Sequence, residues 1–266
     1  MAVALRQFRA LLSIFLQDGL AYKASGLIWV MTDVATAVAM PMVMVAAAKG
    51  GSIKGLTGAD FVLYYMVMLL VTSFVQCHFM WDVAFEVKEG IFSSHIIRPV
   101  NYLYYKLVHN LAWRIVRTSI FFPLFLLILW AYAPWVPNPQ IHLTWFSLLA
   151  VFLGHILSFM FVMAMAMLAL FLQEGTSLFE LYYVPMLFLS GQMFPVAIFP
   201  DWVRNLAMFF PFYYTTGVPT EMLIGKIGLA QAPMLLGIQC AWILGSYIAF
   251  KIMFHYGTRY YTGVGM

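Results

Sequence analysis

Stretches of apolar sequence long enough to cross a lipid bilayer run through most of this chain. A crossing helix needs roughly 20 mostly apolar residues. Six stretches reach or approach that length, at 25–48, 59–81, 115–133, 142–172, 178–195 and 232–254. A soluble fold could not hide them. Only 9% of the residues are charged, against about 25% in soluble domains, while 64% are hydrophobic and the mean hydropathy is +0.90. In hydrocarbon every backbone polar group needs an internal partner, which favours helices. The expected fold is an all-α integral membrane protein with six transmembrane helices in a single domain, residues 1–266. The fourth stretch, at ~1.5 Å per residue, outruns a ~30 Å hydrocarbon core, so it must tilt or project at one end.

Orientation follows from the cations. With the N-terminus inside, Arg6, Arg9, Lys23, Lys88, Arg98, Lys106, Arg114, Arg117, Lys251 and Arg259 fall on the cytoplasmic side. Lys49, Lys54, Arg204 and Lys226 fall outside. Basic residues favour cytoplasmic loops, so both termini are expected in the cytoplasm of a plasma (cell inner) membrane protein. The net charge of +4 then speaks to anionic lipid rather than to nucleic acid. Cys77 and Cys240 lie inside apolar runs, the setting of buried thiols rather than of a disulfide framework. Arg6 and Arg9 before "ALLSIFL" faintly resemble a signal peptide, but Gln17 and Asp18 interrupt the apolar run and no A-x-A site follows; cleavage is not expected.

Two segments read as lying at the membrane surface. In residues 1–22, Arg6, Arg9, Ser13 and Gln17 share one helical stripe, with Leu5, Phe8, Leu12, Phe15 and Leu16 elsewhere on the wheel. That pattern fits an interfacial helix, or simply an anchoring entry helix. In residues 195–230, Pro195, Pro200 and Pro211 punctuate an apolar stretch, Asp201 is placed to cap a short helix through Phe210, and Trp202, Tyr213 and Tyr214 suit an interfacial depth. The segment is expected to be re-entrant from the outer side, with a surface-lying helix as the alternative. The two three-span halves show no internal repeat.

Enzyme signatures are missing. The chain has no H-E-x-x-H, no G-x-S-x-G and no G-x-x-x-x-G-K-[ST]; Gly225 and Lys226 are followed by Ile227. The six histidines have no metal-pair spacing. No cofactor is expected on this chain, and no ATPase site of its own. Asp33, His155, Glu174 and Glu180 are ionisable groups in or beside apolar runs, where such groups are costly and often functional. They leave open an ion- or proton-coupled secondary transporter, with pairing between helices as the plainer role for Asp33 and a position near the cytoplasmic surface for Glu174 and Glu180.

The densest polar chemistry lies in "EVKEGIFSSHIIRPVNYLYYKL", within the loop at 86–110. Asp82, Glu86 and Glu89 recur at four and three residues, one acidic stripe on a helix leaving the second span. Gly90 can end that helix, and "IFSSHII" permits one or two new turns presenting Ile91, Phe92, Ile96 and Ile97 before Pro99 limits them. An aromatic and basic stretch, "NYLYYKLVHNLAWRIVR", leads into the third span. This is a docking element, or else a solvated connector.

Here the residues Glu89, Gly90, Ile97, Arg98, Pro99 and Val100 resemble the E-G-x(6)-L-R-P-V pattern of permease subunits of type 2 ATP-binding cassette exporters. "FLSGQMFPVAIFPDWVRNLAMFFPFYYTTGVPTEMLIG" is similar to that family's segment after the fifth span, and the order of elements agrees along the whole chain. "IFSSHII" departs from relatives that carry an acidic residue beside a leucine run. The resemblance implies a complex of two permeases, identical or paralogous, with two separate ATPase subunits that hold the ATP and Mg. The loop would be the coupling helix seated in an ATPase groove, with Glu86, Glu89, Gly90, Phe92, Ile96, Arg98 and Pro99 as its coupling residues and the N-terminal helix packed nearby. The substrate class implied is a hydrophobic drug, natural product or lipid-like molecule.

The topology is checked with cysteines introduced at Ser93 and at Gly51. An impermeant thiol reagent should label them from opposite faces of a sealed vesicle, and labelling from one face would refute the six-span arrangement.

Overall fold

The computed structural model of the chain describes residues 2–21, 23–172 and 176–262. Among them are twelve α-helices and one two-stranded hairpin. Helices α1 (Ala2–Ala21) and α2 (Lys23–Ala48) lead into the hairpin of β1 (Ser52–Ile53) and β2 (Leu56–Thr57). Next come α3 (Gly58–Val75), α4 (Met80–Lys88), α5 (Ile91–Ile96) and the long α6 (Tyr102–Tyr132). Then follow α7 (Trp145–Ala166), α8 (Thr176–Leu189), α9 (Asp201–Phe209), α10 (Pro211–Thr215), α11 (Gly217–Leu223) and α12 (Ala232–Tyr260).

Helix starts follow local chemistry. Thr57 and Asp60 form a capping box at the start of α3, and Thr144 with Ser147 forms another at α7, each pairing two backbone donors that the first turn leaves free. Asn101 caps α6 by accepting from Tyr104 N at 3.3 Å.

Four stretches are long and apolar enough to cross a bilayer: Gly58–Lys88, Tyr102–Trp135, Trp145–Leu170 and Ala232–Tyr260. This is a multi-pass membrane fold with four such spans among the described residues, not six. The first expected crossing, 25–48, lies in the 26-residue α2, of which Val34–Ala48 qualifies as a shorter apolar helix. The fifth, expected at 178–195, stops early. Helix α8 has 14 residues, about 21 Å at ~1.5 Å each, short of a ~30 Å core. It ends at a turn where Gly191 takes φ +86°, a conformation that favours glycine.

The N-terminal helix also differs from a free interfacial helix. Its apolar face lies on α6, and the contacts advance in step along both helices. Phe15 meets Tyr105 and His109 at ring distances of 5.0 and 4.7 Å, Gly19 faces Trp113 and Val116, and farther on Tyr132 Oη donates to Val38 O at 2.8 Å. Helices α1 and α2 therefore run parallel to α6, while Arg6, Arg9, Ser13 and Gln17 stay exposed on the opposite stripe.

The core divides into packed layers. One gathers α4, α5, α7 and α12 around Met80, Phe92, Met163 and Phe250. Another sets α7 and α12 against the short helices of the 195–230 segment. In that segment Asp201 is the first helical residue rather than the cap, Pro200 occupies the cap, and Asp201 Oδ1 pairs with Arg204 at 2.9 Å. Tyr213 and Tyr214 are buried rather than interfacial, because their hydroxyls find partners inside: Tyr213 donates to Glu221 Oε2 at 2.6 Å and Tyr214 to Met208 O at 2.9 Å. Gln239 of α12 ties the layers by donating to Ala150 O and Tyr214 O.

Gly154 sets the distance between α7 and α10, since a Cβ there would collide with the Thr215 carbonyl oxygen. Gly237 on α12 has nothing within 4 Å of that position. Gly154→Ala should lower stability by ~1–3 kcal/mol, the usual cost of overpacking. Gly237→Ala should be neutral or stabilise by up to ~1 kcal/mol through helix propensity. Thermal unfolding of the two variants in detergent checks this; equal midpoints would show that the α7–α10 contact is not tight.

Candidate functional site

The loop between α4 and α6 is built as a rigid base carrying an exposed tip. Helix α4 closes at Glu89, Gly90 reverses the chain with φ +72°, and α5 follows at once. The base is ionic and aromatic. Glu86 Oε1 accepts from Lys106 Nζ at 2.6 Å, and Glu86 Oε2 accepts from Tyr102 Oη at 2.8 Å and lies 3.9 Å from His95 Nε2. Lys106 is buried. Removing one partner of such a pair strands the other charge, at a cost of about 3–5 kcal/mol. Burial pushes the His95 imidazole below its usual range, against the upward pull of the Glu86 carboxylate.

Phe92, expected among the exposed knobs, is 0% exposed. Its ring stands edge-on to Tyr102 at 5.1 Å and to Tyr261 at 5.3 Å, and Ser93 Oγ hydrogen-bonds Tyr261 Oη at 3.2 Å. The coupling set inferred from sequence is thus divided. Glu86 and Phe92 face inward and hold the loop, and Gly90 makes the turn. Glu89, Ile96, Arg98 and Pro99 face outward. Ile91, Ile96 and Ile97 are 43%, 46% and 84% exposed, giving an apolar tip on α5. The acidic stripe is split too: Asp82 and Glu89 are exposed, while the carboxylate of Glu86 is spent on Lys106 and Tyr102.

Above this loop the second expected span is interrupted. Between α3 and α4 the chain is non-helical at 76–78, with Gln76 extended at ψ 130°. A helix end inside an apolar bundle leaves carbonyls and amides without partners, and side chains of two other helices supply them. Arg114 donates to Ser73 O at 2.7 Å and to Gln76 O, and also reaches Cys77 Sγ. Cys77 N donates to Ser158 Oγ at 3.0 Å, and His155 Nδ1 lies 3.3 Å from Val75 O.

Of the intramembrane polar residues, the structure describes the side chains of His155 and Glu180. His155 serves the broken end of α3 and leans on the Phe74 ring at 5.4 Å. Glu180 is exposed on α8, and among the described residues no hydrogen bond or ion pair joins the two. Asp33 falls in α2, with its side chain outside what the structure describes, and Glu174 lies outside the described residues. Among the described residues, no group of three or more His, Cys, Asp or Glu is arranged to hold a metal ion.

Several polar residues were invisible as site members in the sequence. Arg114 and Arg117 count there as loop cations, yet both are buried on α6; the only hint is their spacing of three within an apolar run. Lys106 and Glu221 gave no signal as buried groups.

A family described as ABC-2 family transporter protein matches residues 34–265 of the chain. No curated protein and no solved structure matches it. Members of the family are membrane permease subunits without catalytic ATPase activity, and they generally pair with ATPase subunits and a second permease. The chain belongs to the ABC-2 transporter family, as a membrane permease subunit with no ATPase site of its own.

Proposed function

We propose that this chain is the transmembrane subunit of an ATP-driven exporter in the plasma membrane. It lines a path for a hydrophobic drug, natural product or lipid-like molecule together with a second permease, identical or paralogous. Both termini and the 86–110 loop face the cytoplasm. Shorter crossings at α2 and α8 add to the four long spans, and the 195–230 segment closes the outer side. Two separate ATPase subunits bind ATP and Mg and receive the tip of α5.

One observation carries this reading. Two exposed isoleucines on a six-residue helix and a third, Ile97, at its C-cap form a tip whose base is fixed by the Glu86–Lys106 ion pair and by edge-to-face aromatic contacts. An apolar tip costs solubility unless something covers it, and a rigid base lets force applied to the tip reach α6 and α12 instead of dissipating in the loop. Glu89 and Arg98, exposed beside the tip, supply a polar rim of the kind that borders protein interfaces. Closure of the ATPases would thus shift α6 through Tyr102 and Lys106, and α12 through Tyr261.

Two variants separate docking from support. Ile96→Ala combined with Ile97→Ala should weaken ATPase association by about thirtyfold, a loss of ~2 kcal/mol as for buried interface anchors. The isolated permease should stay as protease-resistant as the parent. Phe92→Ala should expose the loop to proteolysis even without the ATPase, because it empties a packed internal site at a cost of ~3–5 kcal/mol. ATPase binding unchanged by the double isoleucine variant would overturn the assignment of α5 as the docking tip.

A further inference from the structure

Glu221 of α11 is an acid placed where a negative charge is hard to keep. Helix α11 packs against α3, α7 and α10, and every residue from Gly217 to Leu223 is buried. Glu221 Oε2 accepts from Tyr213 Oη at 2.6 Å, while the buried Oε1 has no hydrogen-bond partner. Among the described residues no cation pairs with this carboxyl. Lys226, just beyond α11, gives its ammonium to Asp60 Oδ1 at 2.8 Å instead. A second buried polar atom in the same seam is also without a partner, the hydroxyl oxygen of Ser190. The Ser190 carbonyl oxygen and the Tyr213 ring both abut Gly217, which lies one helical turn before Glu221 on the same face of α11.

The titratable groups around Glu221 supply no fixed positive charge to offset it. From α3 come Tyr64, which donates to Gly191 O at 2.7 Å, and Tyr65, which donates to Met193 O at 2.8 Å. Asp60, at the start of α3, is paired with Lys226. From α10 come Tyr213 and Tyr214, the latter donating to Met208 O. The titratable residue of α7 is His155, whose ring lies at Val75 O, and the His142 ring lies against Gly225 after α11 ends. A buried carboxylate without a cation is so costly that the group takes up a proton instead. Oε2 already accepts from Tyr213, so the proton belongs on Oε1, where it turns an unmatched acceptor into a donor.

We propose that Glu221 is a proton-binding site, and that its bound proton fastens α11 in the seam between α3, α7 and α10. Neutral, the carboxyl stays in the seam. Ionised, it needs water, which it reaches only if α11 lifts. Burial pushes this carboxyl up to about 7, with the Tyr213 hydrogen bond pulling the other way. The unfolded chain releases the same proton near the ordinary value of 4.5, so the folded protein holds it to higher pH. The stabilisation is therefore full below the ordinary value and is lost as pH rises through the folded one.

The site depends on no ATPase, so the permease alone serves for the test. The protein in detergent is unfolded thermally between about pH 5 and about pH 9, and its carboxylic acid C=O stretch is followed by infrared spectroscopy over the same range. Across that range the parent's midpoint should fall by about 5–10 °C more than that of Glu221→Gln, a neutral amide of the same shape. Near neutral pH the parent should show a carboxylic acid band that Glu221→Gln lacks. Tyr213→Phe removes the hydrogen bond that favours the charged form, so it should move the loss of that band to higher pH. A carboxyl with a packing role alone would show no such shift. If Glu221→Gln does not fold, the response of the band to Tyr213→Phe decides, and a band that does not move overturns the proposal. Equal pH dependence in the parent and Glu221→Gln, or identical infrared bands, would overturn it too. So would loss of the band near the ordinary carboxylate value, which would mean that water already reaches Oε1. Loss of ATPase docking with this titration intact would fault the exporter reading and leave the proton site standing.

Discussion

The guanidinium of Arg114 on the broken end of α3 is the contact on which the rest of the structure depends. A helix that stops inside an apolar bundle exposes carbonyls that lipid cannot satisfy. Arg114 covers Ser73 O and Gln76 O from α6, and Ser158 and His155 complete the set from α7. Three helices are fixed together at that level. The interruption separates α3 from α4, and α4 carries Glu86 to Lys106.

Polar groups are used here as joints, in a chain too poor in charge to scatter them. Glu86 with Lys106, Asp60 with Lys226, and Tyr213 with Glu221 each tie two elements distant in sequence or successive short helices together. Buried hydrogen bonds of this kind are modest in net stability, but leaving one member alone is costly. The expense of a stranded partner fixes geometry more than the bond itself does. Packing supplies the remainder, with Gly154 and Gly257 admitting neighbours that a side chain would repel.

How much of this was legible in the sequence depended on whether a signal was local. The α1 stripe, the turn at Gly90 and the brevity of α5 each follow from residue type and spacing over a few positions. The short α8 did not, because an apolar run looks the same whether or not the chain turns at Gly191 within it. The division of the loop was also hidden. Glu86 and Glu89 look equivalent until Lys106, 20 positions later, claims one of them. Phe92 and Ile96 look like equal knobs until Tyr261 covers the phenyl ring. Arg114 and Arg117 read as cations flanking a span because the helix around them begins a dozen residues earlier, at Tyr102. In each case the deciding partner lies far along the chain, beyond the reach of periodicity.

The edge-to-face contact of Phe92 with Tyr261 has a practical side. It joins the α5 loop to residues immediately following α12, so the two ends of the cytoplasm-facing surface proposed above are mechanically one piece. Anything attached close after Tyr261, whether an affinity handle, a fluorescent reporter or a crosslinker, therefore pulls on α5. A label intended as a passive marker of abundance at that position would load the α5 loop, and a linker long enough to leave the tyrosine seated is needed to keep the reporter silent.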